Sequence, residues 1–236
     1  MMRTTLALAA AAVAVPATAA DVQVTSQGPL VELSVTETVK ARPDIAEISA
    51  GVTSQAPTAV EAMQKNAQAM DAVVKRIKAL GIAAEDIQTT GINLGAQYDY
   101  DQSQQRQVFR GYQASNRVSV TLRKVDRTGP VLDALVAAGA TDIGGPNFSI
   151  DDDTAPRAQA RQAAFQKAQA QANEYARWAG YTGVRVLSVS EAVNPGRPMP
   201  YAERAVAASM DAKASPVEPG LVGTAVTVSV TFEMTR

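Results

Sequence analysis

The chain has 236 residues with 22 basic and 23 acidic side chains, a formal net charge of −1, and it contains neither cysteine nor histidine. These absences exclude thiol nucleophiles, disulfides, Ser-His-Asp triads and the common zinc sites. A slightly acidic balance also argues against non-specific nucleic-acid binding, which depends on neutralising phosphates.

The first residues read as a secretory signal. Arg3 supplies the basic start, Leu6 to Val15 a short apolar stretch, and Pro16 breaks it. Ala17-Thr18-Ala19 then offers the small-x-small site of a signal peptidase, with cleavage expected after Ala19 or Ala20. The apolar stretch falls short of the about 20 residues that a membrane-spanning helix needs. Residues 1–20 are thus expected to be a signal peptide, 21–28 a polar leader and 29–236 one folded domain. Loss of residues 1–20 removes one cation, Arg3, and leaves 21 basic and 23 acidic residues. No later segment has 18 uninterrupted apolar residues, so no transmembrane segment is expected in the mature chain.

Val31, Leu33 and Val35 alternate with polar residues, and Val39 resumes the same face. This is the period of a half-buried strand. After Ala41-Arg42-Pro43-Asp44, the residues Ala46, Ile48, Ala50 and Val52 alternate again. The two strands are expected to form an antiparallel hairpin. Thr58 and Glu61 then make a capping-box pattern. The following helix is expected to bury Val60, Met63, Ala67, Met70, Val74 and Ile77, spaced by threes and fours, and Gly81 to end it.

Two long strands follow over 87–100 and 107–123, joined by a polar hairpin loop from Asp101 to Arg106. Ile92, Leu94, Ala96 and Tyr98 alternate in the first, and Tyr112, Ala114, Val118, Val120 and Leu122 share a face of the second. A short helix over 128–138 should turn Leu132, Leu135 and Val136 inward. Gly144-Gly145-Pro146 marks the next strand as bulged or at a sheet edge. Asp151-Asp152-Asp153-Thr154 leads into an alanine-rich helix over 155–179, with Phe165, Ala168, Ala172, Tyr175 and Ala179 on one face. Val184, Val186 and Val189 mark another strand, and Val226, Val228, Val230 and Phe232 alternate in the last. Between these two, the proline-rich stretch 194–220 reads as a long mobile loop. The element order implies an α+β fold, with antiparallel sheets from ββα-type units and helices on one face.

Residue by residue, the chain resembles the SIMPL-domain family of bacterial periplasmic proteins. The matching segments begin with Val31-Glu32-Leu33-Ser34-Val35, Ala41-Arg42-Pro43-Asp44-Ile45-Ala46 and Gly51-Val52. They continue with Ala59-Val60-Glu61-Ala62, Asn66, Gly81-Ile82 and Asp86-Ile87-Gln88-Thr89. Arg110-Gly111-Tyr112-Gln113-Ala114-Ser115-Asn116 follow, then Leu132-Asp133-Ala134, Gly139-Ala140, Phe148 and the residues from Ala160 onward. The resemblance spans about 28–235 and rests on the order and spacing of these segments. It implies an envelope protein linked to oxidative-stress tolerance, related to periplasmic immunogens, that assembles into large ring-like homo-oligomers. The family has no established catalytic residues, so none carry over.

No enzymatic activity and no cofactor are expected. The leading expectation is a homo-oligomeric periplasmic protein, associated with the outer membrane, whose proline-rich loop lines a central opening or mediates contacts. The alternative is a binding module for a small molecule, a peptide or an unfolded envelope protein. Arg42, Pro43 and Asp44 are the first candidate site, read chiefly as a turn in which proline presets its backbone angle and Asp caps. Arg110, Gly111, Tyr112 and Asn116 are the second, either lining a cleft or simply opening a strand. The acidic runs at 98–101 and 151–153 lack the ligand spacing of a calcium loop. Met199 and Met210 are too sparse for a copper site, and Trp178 reads as packing.

Overall fold

A computed structural model describes residues 26–192 and 215–236. The signal segment with Ala19 and Ala20, and most of the proline-rich stretch with Met199 and Met210, lie outside the described residues. Seven strands and three helices follow in the order β1 (Leu30–Ala41), β2 (Ile45–Ala56), α1 (Ala59–Ala79), β3 (Ile87–Asp101), β4 (Arg106–Leu122), α2 (Thr128–Ala137), β5 (Asp142–Ser149), α3 (Thr154–Trp178), β6 (Gly183–Ala192) and β7 (Val222–Thr235). They build two antiparallel sheets, one ordered β3-β4-β2-β5 and one ordered β1-β7-β6. The fold is α+β.

The expected β1–β2 hairpin does not form. β1 pairs instead with β7 along its whole length, Leu30 opposite Glu233 and Ala41 opposite Val222. β2 lies between β4 and β5 in the other sheet. Three residues are enough for a hairpin loop, but loop length does not choose a partner. Both flanks of β2 are already taken, and the alternating apolar residues of β1 match those of β7 over a shared helix.

Each sheet buries one face under its own helices. In the four-stranded layer, Ala46, Ile48, Ala50 and Val52 of β2 and Val118, Val120 and Leu122 of β4 pack against α1 and α2. In the three-stranded layer, Val226, Val228, Val230 and Phe232 of β7 pack against α3. Ala160, Ala164, Ala168, Ala172 and Ala176 are fully buried and repeat every four residues along α3. A methyl-only stripe lets the helix backbone approach the sheet closely. Tyr175 and Trp178, by contrast, stack edge to face on each other with centroids 5.3 Å apart and stay exposed. Burying a side chain the size of Phe232 contributes about 2 kcal/mol.

The buried face of α1 also differs from the expected one. Ala62, Asn66, Met70, Val73 and Ile77 point inward, while Val60 is 65% exposed and Ala67 faces solvent. The cause is Asn66. Its amide nitrogen donates to the carbonyls of Val52 (2.8 Å) and Ala114 (3.0 Å), spanning the β2–β4 seam from inside the core. Two hydrogen bonds to otherwise apolar surroundings fix the helix rotation, and a purely hydrophobic pattern does not show them. The Thr58 cap does form, its hydroxyl accepting from the Glu61 amide at 3.3 Å. In α2, Leu135 is buried as expected, but Val136 is exposed and Val131 takes its place.

The chain crosses between the layers twice, at 42–44 and at 150–153, and the two crossings are tied together. The Asp44 amide donates to the Ser149 carbonyl at 3.1 Å, and the Asp44 carboxylate accepts from the Asp151 amide at 2.8 Å. Arg123 then grips Asp86 through two nitrogens (2.9 and 3.1 Å) and Asp151 through a third (2.6 Å). Near the chain's start, the Glu233 carboxylate is buried. It accepts from the amides of Gln27 (2.6 Å) and Gly28 (2.7 Å) and pairs with Arg185. The Arg185 guanidinium, followed by these amides, holds the Glu233 carboxyl below its usual range.

Two outcomes follow from these contacts. Asn66→Leu keeps the branched outline of the side chain but removes both seam hydrogen bonds, so urea denaturation should show a loss of about 2 kcal/mol, while Ala67→Leu on the exposed side should change stability little. Because the Glu233 carboxyl titrates lower when folded than when unfolded, its contribution is present above about pH 4.5 and fades as pH falls through the folded value. The protection factors of the Gln27 and Gly28 amides, taken relative to their intrinsic rates, should therefore fall in acid by more than a general loss of fold accounts for, and Glu233→Gln should blunt that response.

Candidate interaction surface

The two candidate groups of residues lie apart. Arg42, Pro43 and Asp44 occupy the first crossing, with Asp44 tying it to the second and Arg42 exposed. Tyr112 closes the far end of the β2–β4 ladder, which runs from Ala46 opposite Leu122 to Ala56 opposite Tyr112, and Arg110 and Gly111 lie just beyond it. Ten residues of strand separate its ends, about 33 Å. No single cleft joins the groups.

At the far end, β3 and β4 outrun β2 and continue as a two-stranded ribbon. Pairing shifts between Gln97 and Tyr98, so Arg110 is an extra residue on β4. Such a bulge increases local twist. Its guanidinium bonds Asp99 at 2.7 Å along the ribbon. Gly111 adopts φ +131°, and a Cβ there would sit 2.5 Å from the Ala56 carbonyl oxygen, so only glycine fits where β2 ends. The ribbon tip is held by Asp101, whose carboxylate accepts from Ser103 and Gln104. These bonds, the Ser103 hydroxyl first, lower its pKa.

An aromatic ladder runs up the ribbon. Tyr98 and Phe109 meet edge to face with centroids 5.6 Å apart, and Phe109 meets Tyr112 at 5.4 Å. Tyr112 packs at the root beside the small cluster of Ala56, Ala62 and Ala114. Asn116 lies opposite Ile92 on one side and Val52 on the other, and its buried amide oxygen finds no partner among the described residues.

The feature that alternation alone misread is β3. Ile92, Leu94, Tyr98, Tyr100 and Phe109 are 46–63% exposed. By register, Ile92, Leu94 and Ala96 share a face with Asn116, Ala114 and Tyr112, the side on which α1 lies. But α1 covers β2 and β4, and β3 reaches past it at the sheet edge. The period of two was real; the covering layer was missing. From Ile87 to Tyr98 the strand carries no charged residue. Protein edges are normally blunted by charge, proline or bulges. β3 has pairing shifts at Thr89–Gly91 and Gln97–Tyr98 but no charge or proline before Asp99, whereas β5 carries Pro146 and β1 carries Glu32, Glu37 and Lys40. Gly95 completes the pattern, since a Cβ there would meet nothing within 4 Å. A strand glycine without an internal steric reason suits the close approach of another backbone.

The opposite face of the same sheet is polar. Thr53, Asn93, Ser115, Arg117 and Asp142 line a cleft of about 440 Å³, with Arg117 and Asp142 paired across it. The acidic runs are committed to local bonds: Asp99 to Arg110, Asp101 to the tip, Asp151 to Arg123, Asp152 to the Thr154 amide, and Asp153 to Arg157. No group of three or more metal-ligating side chains occurs among the described residues. No helix among them is long and apolar enough to cross a membrane.

Two antiparallel sheets, each with one face covered by helix, and a long two-stranded ribbon running out from one of them define this class of α+β protein. The chain belongs to the SIMPL family, described as "Protein of unknown function (DUF541)", which it matches over residues 31–232. It is similar to the 26 kDa periplasmic immunogenic protein of Brucella melitensis, with 33% identity over 94% of this chain and 92% of that protein. It is also similar to the uncharacterized protein YggE of Edwardsiella ictaluri, with 31% identity over 84% of each chain. With YggE of Escherichia coli K12 it shares 32% identity over 63% of this chain and 60% of that one.

Proposed function

We propose that the protein is a non-enzymatic periplasmic component that acts as a homo-oligomer and protects the cell envelope under oxidative stress. One observation carries the assembly: the edge of β3, exposed, apolar on one face and without a charged residue from Ile87 to Tyr98. A second copy of the chain is the natural partner, because its equivalent edge offers the same free amides, carbonyls and apolar side chains, and self-complementary patches generate closed symmetric assemblies. The periplasmic address is supported by the signal-like start and by the name of the Brucella relative. The protective role rests on the family resemblance.

Light scattering after size exclusion of residues 21–236 tests the assembly. A mass of several subunits, stable on dilution, is expected. Ile92→Lys with Leu94→Lys should reduce it to a single chain without changing the far-ultraviolet circular dichroism. Gly95→Val should leave thermal stability unchanged or slightly raised yet weaken assembly, because the new side chain meets nothing inside its own chain. A monomer at every concentration overturns the oligomeric reading. Separately, a strain lacking the gene should be more sensitive to peroxide, and unchanged sensitivity removes the protective role.

A further inference from the structure

At the opposite end of the four-stranded layer from the ribbon, a second concavity of about 340 Å³ opens beside the chain crossings. This is within the lower range of small-molecule sites. Its apolar floor includes Leu80 and Ile82 from the end of α1 and the segment after it, Leu122 from the end of β4, and Val131 from α2. Leu122 and Val131 belong to the main hydrophobic core, so the floor is rigid.

The rim has the opposite character. Arg123, Lys124 and Arg127 line it together with one carboxylate, Asp86, an excess of two positive charges. Arg123 is neutralised by Asp86 and Asp151. Lys124 and Arg127 are exposed and make no ion pair among the described residues. Two uncommitted cations over an apolar floor suit one ligand chemistry: an anionic head on an apolar body. The cations supply charge-assisted hydrogen bonds to the head, and the floor removes the body from water.

We propose that this cleft binds a small amphiphilic carboxylate, its head held by Lys124 and Arg127 and its apolar body lying against Ile82, Leu122 and Val131. A ligand here would rest against the Arg123 clamp that links Asp86 to Asp151, and so against the joint between the two layers. The site is distinct from the β3 edge and does not depend on assembly.

Calorimetric titration of residues 21–236 with octanoate, 1-octanol and acetate separates the contributions. Octanoate should bind more tightly than either control. Affinity should rise roughly fourfold per added CH2 from butanoate until the cleft is full. Lys124→Gln with Arg127→Gln should weaken octanoate by about tenfold or more while leaving 1-octanol unchanged. Both side chains are exposed, so the variant should keep its native circular dichroism, and the chain-length series needs no variant at all. Hydrogen exchange by mass spectrometry should show octanoate protecting peptides over 80–86 and 121–131 in monomer or oligomer alike. Equal binding of octanoate and octanol, acetate binding as tightly as octanoate, wild-type affinity in the double variant, protection elsewhere, or no octanoate binding at millimolar concentration each overturns the assignment.

Discussion

The structure depends on the closure of β1 onto β7. The pairing runs through twelve residue pairs and joins positions such as Val35 and Val228, at opposite ends of the described chain. Everything in the three-stranded layer follows from it. α3 needs the paired β1 and β7 to receive its alanine stripe, and β7 is the one strand that pairs with β6 among the described residues. Glu233 can hold the amides of Gln27 and Gly28 only after β7 lies beside the chain's start. The entropic cost of closing so long a loop is modest, since each doubling of loop length adds only about 0.6 kcal/mol. A core of Val226, Val228, Val230 and Phe232 against four alanines readily offsets it.

That closure makes the four-stranded layer an insertion between β1 and α3, entered at Asp44 and left at Asp151. This explains why charged side chains gather at the joint. The two crossings have no sheet partners, so their backbone groups are satisfied by Asp44, and Arg123 clamps Asp151 to Asp86. The joint is polar and hydrogen-bonded where each layer is apolar and packed. It also brings Arg123, Lys124 and Arg127 to one rim, next to core residues at the ends of α1 and β4.

The four-stranded layer is asymmetric in how it meets water. Its β5 edge is interrupted by Pro146, while its β3 edge is long, uncharged from Ile87 to Tyr98 and flanked by exposed apolar side chains. One helix spans roughly two strands at the usual spacings, so α1 over β2 and β4 leaves β3 uncovered. The ribbon then carries its aromatic face into solvent, with Tyr98, Phe109 and Tyr112 stacked edge to face.

Local signals were legible in the sequence. Alternation located the strands, Thr58 and Glu61 placed the start of α1, the glycine-proline run marked β5 as an edge, and the absence of cysteine and histidine removed whole classes of chemistry. The segments from Val31 to Phe148 also sufficed for the family. These features depend on a residue and its near neighbours. Partner choice does not: β1 joined β7 across the whole chain rather than β2 three residues away. Nor does the rotation of α1, decided by carbonyls of Val52 and Ala114 that Asn66 could reach only once β2 and β4 were paired. The same limit explains Ile92 and Leu94. Alternation shows that a strand has two unlike faces, but whether a layer covers the apolar one depends on where the helix falls, and only the tertiary structure decides that.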